Sequence, residues 1–175
     1  TSADITGLIG QYAHGNEPSH HILYFYTMAG QPWKTADKVR QVLSELYHAE
    51  PDGLSGNEDC GQMSAWYILS AMGFYSVCPG SNEFVLTAPL FEEVKLALAN
   101  GKQLVIKANS SKKNVYIKEV KLNGQAIDKN FVTYAQLMEG GTLEYVLTDE
   151  PCMDRGIAPE AAPYSFTKGQ VAAMP

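Results

Sequence analysis

Near residue 80 the hydrophobic periodicity of this chain changes from helical to alternating. A helix returns to the same face about every 3.6 residues and a strand every two, so no single element can serve both halves. The sequence therefore predicts an α+β chain in three stretches. A helical part covers 1–80, an antiparallel β part resembling a small sandwich covers 81–148, and 149–175 forms a tail rich in Pro, Ala and Gly. The tail is expected to lie packed over the surface or to be disordered.

In the first part, Pro18 suits the first turn of a helix, where its missing N–H costs nothing, and Asn16 is placed to cap it. That helix runs through "PSHHILYFYTMAG" to Gly30. Thr35 is placed to cap a second helix, with Val39, Val42, Leu43, Leu46 and Tyr47 at helical spacing. Met63 to Met72 reads as a third, ended by Gly73. Residues 60–82 carry no charge, but Gly61, Gln62, Ser64, Ser70 and Gly73 dilute the run. A buried helix leading into a loop is expected there, not a membrane span.

In the second part, "EFVLT" is a short strand. "VKLALANGKQLVIKA" holds two alternating runs about Asn100-Gly101, and a second Asn-Gly follows at 123–124; both are hairpin signals. "TLEYVLT" supplies a further strand.

The 45% hydrophobic content implies a packed core, and the net charge of −6 without a basic cluster excludes a phosphate-backbone binder. Cys60, Cys78 and Cys152 fit no disulfide framework and no CxxC zinc pair, although a single Cys60–Cys78 bridge stays open. The chain shows no signal peptide, and its start at Thr1 suggests a fragment whose upstream part is absent.

Two polar knots stand out. "GNEPSHH" (15–21) places Asn16 and Glu17 at a helix start, where a carboxylate is favoured by the macrodipole alone. Beside that capping role stands another: Asn16 or Glu17 as a hard oxygen ligand for Ca²⁺, or Glu17 as a grip on a sugar hydroxyl. His20 and His21 are adjacent, point different ways and cannot form an HExxH zinc pair. One is expected to be buried and satisfied, the other to line a pocket.

The second knot lies within "PDGLSGNEDCGQMSAW", a tight loop carrying Asp52, Asn57, Glu58 and Asp59. It lacks EF-hand spacing. It reads either as a solvated acidic turn, with Asn57 or Asp59 capping the next helix, or as a hydrolytic site with Asp59 as general base. Trp33, Trp66, Tyr67 and Tyr75 flank the loops and could serve as core or as sugar platforms. The chain contains no GxSxG elbow, phosphate loop or dinucleotide fingerprint.

"GNEPSHH", "AGQPWKT" and "PDGLSGNEDCGQMSAWYILSAMGFYSVCPG" resemble the C-terminal part of glycoside hydrolase family 92, calcium-dependent exo-α-mannosidases, mostly bacterial, over roughly residues 7–147. The resemblance implies that 1–80 are the last helices of an (α/α)6 barrel and that the β part closes the chain. It implies hydrolysis of α-linked mannose in glycans, α-1,2 linkages foremost, with inversion and with Ca²⁺ as cofactor. It also implies a secreted or periplasmic enzyme. Asp59 matches the family's base. Some members carry a second carboxylate two residues earlier; here Asn57 stands there, which leaves it a supporting role. Asn16 and Glu17 match the metal segment, and His20, His21, Glu58 and Trp66 fall in the mannose subsite. The general acid would lie upstream of Thr1, so the fragment is expected to be inactive without that segment.

Another reading makes the β part a carbohydrate-binding or purely structural module. Its few exposed-looking aromatics, Tyr116, Phe131, Tyr134 and Tyr145, weaken the binding version.

Overall fold

The computed structural model describes residues 5–166. It opens with a small hairpin, β1 (Leu8–Ile9) and β2 (Tyr12–Ala13). The predicted 18–30 helix is broken into two 3₁₀ turns, Glu17–Ser19 and Ile22–Tyr24, followed by the short α1 (Phe25–Met28). Two diversions of backbone carbonyls explain the break. The Asn16 carbonyl is taken by both the N–H and the hydroxyl of Ser19. The His20 carbonyl accepts the Trp66 indole N–H at 3.0 Å, and the Tyr24 N–H turns to His21 at 3.1 Å. A tertiary bond has been chosen over a helical one. Asn16 makes no side-chain cap.

α2 (Pro32–Glu45) starts three residues before the expected Thr35 cap, with Pro32 in its first turn. Thr35 lies inside it, buried, accepting from the Thr27 hydroxyl at 2.8 Å and donating to the Leu23 carbonyl at 3.1 Å. Its apolar face (Val39, Val42, Leu43) packs with Tyr24, Trp66 and Ala71. α3 (Gln62–Met72) ends where expected, because Gly73 adopts φ +102° and carries the chain out of the helix.

β3 (Phe74–Tyr75) and β4 (Glu83–Leu86) pair antiparallel. β5 (Glu93–Ala97) and β6 (Gln103–Ala108) form the expected hairpin. β7 (Tyr116–Leu122) turns into β8 (Gln125–Ala126) through Asn123-Gly124, both at positive φ, the mirror-turn geometry that Asn-Gly favours. β9 (Phe131–Thr133), α4 (Tyr134–Met138) and β10 (Gly141–Thr148) complete the order. The sheets are β3-β4-β9 and β5-β6-β10-β7-β8. The wholly antiparallel expectation fails at one ladder: β10 runs parallel to β6 and antiparallel to β7. The long connection from β6 to β10, carrying β7 to α4, is the kind of crossover that a parallel pair requires.

One core joins the two sheets. Phe74, Leu86 and Val132 from the smaller share it with Ile106, Val120, Leu143 and Leu147 from the larger, and Ala36 and Met72 enter it from α2 and α3. Each large apolar side chain among them contributes roughly 1.5–3 kcal/mol. The residue-80 junction therefore runs through shared packing, and Arg40 of α2 reinforces it by donating to Ser111 O and Ser110 Oγ. Trp33 sits at this junction with Leu86, Ile117 and Arg155, away from the polar knots. No helical barrel closes among the described residues.

The described part of the tail is packed. Asn130, 1% exposed, donates to the Gly156 carbonyl at 2.6 Å and accepts from Arg155 at 2.8 Å. Arg155 also donates to the carbonyls of Ile127 and Lys129. Residues 167–175 lie outside the described residues. Cys60, Cys78 and Cys152 are free thiols. Among the described residues no helix is long and apolar enough to cross a membrane.

Candidate active site

The two polar knots meet through their glycines. A β-carbon on Gly56 (φ +86°) would lie 2.3 Å from the Gly15 carbonyl oxygen, and one on Gly15 would lie 1.9 Å from Thr6 Oγ1. Only glycine allows backbone to approach backbone this closely. The contact sets Asn16 and Glu17 against the loop bearing Asn57, Glu58 and Asp59.

Asp59, Cys60 and Gly61 form a consecutive left-handed run at φ 45°, 58° and 91°. For the two non-glycine residues this is a sparsely populated conformation, found where surroundings over-determine the backbone. Neither Asn57 nor Asp59 caps α3, whose cap residue Gly61 offers no side chain. Glu58 serves the helix start instead. Its carboxylate accepts from the Ser64 N–H at 2.9 Å and the Ser64 hydroxyl at 2.8 Å. Asn57 is exposed. The exposed Asp59 carboxyl lies within hydrogen-bonding reach of Glu17. That shared hydrogen bond, then loss of hydration, then repulsion between the two acids, raise its pKa above the ordinary carboxylate value. One Glu17 oxygen, Oε1, is buried without a partner.

Behind the acids lies a buried imidazole–aromatic cluster. His20 is 2% exposed; its Nε2–H donates to the His14 carbonyl at 3.0 Å, so its Nδ1 accepts from Gln62 at 3.1 Å. Trp66 is fully buried, its ring 5.9 Å from that of His20. These two expected sugar contacts are thus spent inside the protein, supporting the knots from behind. Trp66 presents no exposed face to a sugar. His21 is the outer histidine, half-buried and edge-on to Phe25 at 4.9 Å.

His14 carries no mark in the sequence that singles it out, yet it is fully buried, with Nδ1 2.8 Å from Tyr12 OH and Nε2 2.6 Å from Tyr47 OH. Tyr47 donates onward to Met63 O, so His14 Nε2 carries the proton and Nδ1 accepts from Tyr12. Burial, then the neighbouring His20, push its pKa down to about 3. Gln62 is a second residue that sequence reasoning missed; it bridges His20 and Tyr75. The only sequence signal was the density of Tyr, Trp and His around the knots, and the long-range partners, His14 with Tyr47 and His20 with Gln62 and Trp66, lie 33 to 46 positions apart.

A model of the glycosyl hydrolase family 92 catalytic domain matches residues 1–149. The chain belongs to this family. Among solved structures, the family 92 chain is 43% identical to an α-mannosidase of Bacteroides thetaiotaomicron in complex with mannoimidazole. That alignment has a TM-score of 0.90 and covers 93% of this chain and 22% of the other. An inverting family 92 mannosidase from the same bacterium is 45% identical at a TM-score of 0.85, covering 90% and 22%. An uncharacterised secreted glycosidase of the fungus Arthroderma benhamiae is 31% identical over 140 residues, 78% of this chain and 18% of that protein. The family 92 chain thus spans about a fifth of the length of these relatives.

The residues fit calcium in kind. An orphaned carboxylate oxygen on Glu17 and an Asn16 side chain not used in capping are hard oxygen donors. They do not complete a shell: among the described residues no three His, Cys, Asp or Glu are grouped to hold a metal. A cavity of about 690 Å³ lies between β8 and the tail, lined by Gln125, Asp128, Arg155 and Ile157, and another of about 630 Å³ is lined by Tyr47, His48, Leu54 and Tyr67. Neither includes Glu17 or Asp59. Asp59 is exposed, whereas Glu17 is half-buried with one carboxylate oxygen enclosed.

Proposed function

We propose that this chain is the C-terminal part of an inverting, calcium-dependent exo-α-mannosidase that acts on α-1,2-linked mannosides of glycans. The observation that carries the proposal is the pairing of Glu17 with Asp59, in a family whose solved members include an inverting mannosidase. Inversion requires an acid on the leaving-group side and a base-activated water on the other. Asp59, exposed on its left-handed turn, accepts the proton of the attacking water. Asn57, exposed on the same loop, supports the water. Glu17 and Asn16 hold the calcium ion, which when bound supplies positive charge to orient mannose hydroxyls and water. Glu58 and the buried His20 and Trp66 fix the loops, and His21 lies toward the sugar side.

The exposure of Asp59, and the chain's coverage of about a fifth of its solved relatives, support a site completed by an upstream segment. That segment supplies the remaining barrel helices, the rest of the calcium shell and the general acid that protonates the leaving oxygen. Without it the chain does not hydrolyse mannosides. The fungal relative named as secreted supports a secreted location.

The test is proton NMR of α-1,2-mannobiose with the full-length enzyme, with and without a calcium chelator. Early release of β-mannose, lost on chelation and restored by calcium, is expected. Early α-mannose would remove the inverting assignment and with it the role of Asp59. Absence of hydrolysis on any linkage would favour a binding module.

A further inference from the structure

We propose that Glu58 and Ser64 are positioning residues that hold the Asp59 carboxylate in place, acting on the chemistry only through the backbone of the turn between them. The inference rests on the general-base reading of Asp59. Three observations carry it. First, Asp59 and Cys60 sit in left-handed backbone conformations that L-residues adopt only under external constraint. Second, the turn is closed at both ends by one side-chain pair: Glu58, immediately before Asp59, accepts from the N–H and the hydroxyl of Ser64 in the first turn of α3. Third, the backbone repeats the closure, with Met63 N–H to Glu58 O at 3.3 Å and Gln62 N–H to Asp59 O at 3.2 Å.

Both carboxylate oxygens of Glu58 are therefore occupied within the turn, which leaves Glu58 badly placed to grip a sugar. Its position in the motif beside Asp59 suggested substrate contact; its bonds direct it to the turn. Opening the clamp lets Asp59 and Cys60 relax toward ordinary backbone angles, which swings the Asp59 carboxylate away from Glu17 and from the attacking water. Misplacement of a catalytic group by about 1 Å costs up to about 10²-fold in rate.

The experiment measures kcat and KM of the full-length enzyme on an α-mannoside for Glu58→Ala, Glu58→Gln, Ser64→Ala, the Glu58→Ala/Ser64→Ala double variant, and Asp59→Asn. For a positioning pair, Glu58→Ala lowers kcat roughly 10- to 100-fold with KM within about twofold, and Ser64→Ala lowers kcat roughly 3- to 10-fold. The double variant is no worse than Glu58→Ala alone, because both remove one interaction. Glu58→Gln stays within about threefold of wild type, since its amide can still accept from the Ser64 N–H and donate to the hydroxyl. If Glu58→Ala fails to fold, Ser64→Ala and Glu58→Gln decide alone.

A raised KM in both Glu58 variants, with Ser64→Ala unchanged, would place Glu58 on the sugar and overturn the proposal. Asp59→Asn separates the two failures. If that variant is inactive while the clamp variants behave as wild type, only the positioning role falls. If it keeps full activity, the base assignment falls first and the positioning role falls with it.

Discussion

The backbones of Gly15 and Gly56 touch, and through that contact two segments about forty positions apart present their acids to each other. Any side chain on Gly56 must displace the Gly15 carbonyl, and its φ of +86° strains every L-residue.

Gly56→Ala is therefore expected to destabilise the full-length enzyme by about 1–3 kcal/mol and to lower kcat/KM by more than about tenfold. Gly80→Ala, where an added β-carbon meets nothing within 4 Å, is the control and should leave both unchanged. Thermal unfolding together with steady-state kinetics checks the pair.

Removal of calcium by a chelator should abolish hydrolysis, and readdition should restore it. Glu17→Gln removes a charged donor and should raise the calcium concentration for half-activation by roughly tenfold or more. Titration of activity against free calcium reads this out. An unchanged midpoint would exclude Glu17 from the metal.

The buried histidines make stability pH-dependent. His14 is held neutral, its pKa pushed from 6.5 to about 3, and His20 is shifted in the same direction by burial. The unfolded chain binds more protons than the folded one throughout that window, so stability rises with pH there. Full stability is expected above about pH 6.5, with progressive loss as the pH falls toward 3, on the order of a few kcal/mol from His14. Denaturant unfolding from pH 7 to pH 4 measures the slope, and His14→Gln should flatten it.

Tyr145 OH donates to the Gly73 carbonyl at 2.9 Å, and Tyr145 is 3% exposed. Tyr145→Phe removes one of that carbonyl's two donors, the Thr87 N–H remaining at 2.8 Å, and should cost about 0.5–1.5 kcal/mol, seen as a lowered melting temperature with an unchanged KM. Its effect should not add to that of a helix-end variant such as Gly73→Ala, whose β-carbon would lie 3.1 Å from the same ring.

Much of this architecture was legible because local chemistry and tertiary packing agree. Gly73 ends α3, both Asn-Gly pairs turn their hairpins, and the alternating burial of Leu143, Tyr145 and Leu147 follows period two. The misses share a cause. Residues 17–28 have helical spacing, yet the Trp66 indole claims the His20 carbonyl and breaks the ladder. Thr35 looked like a cap because its hydroxyl suits one, but that hydroxyl is used between α1 and α2. Glu58 and Asp59 are neighbours with the same functional group, and sequence could not tell which serves the turn and which faces Glu17. His14 escaped because, apart from Tyr12 two residues before it, its partners arrive from α3 and from just beyond α2.

The position of β10 in the larger sheet has a consequence for biosynthesis. This strand alone joins the β5-β6 hairpin to the β7-β8 hairpin, and it is the last strand made among the described residues. On the ribosome the two hairpins must wait, each with an open edge, until residues 141–148 emerge between them. The interval is one of exposed strand edges and long-range closure, in which pairing with other nascent chains competes with folding. A stall or truncation before Gly141 leaves two hairpins and no five-stranded sheet, so the quality of the larger sheet is decided in its final eight residues.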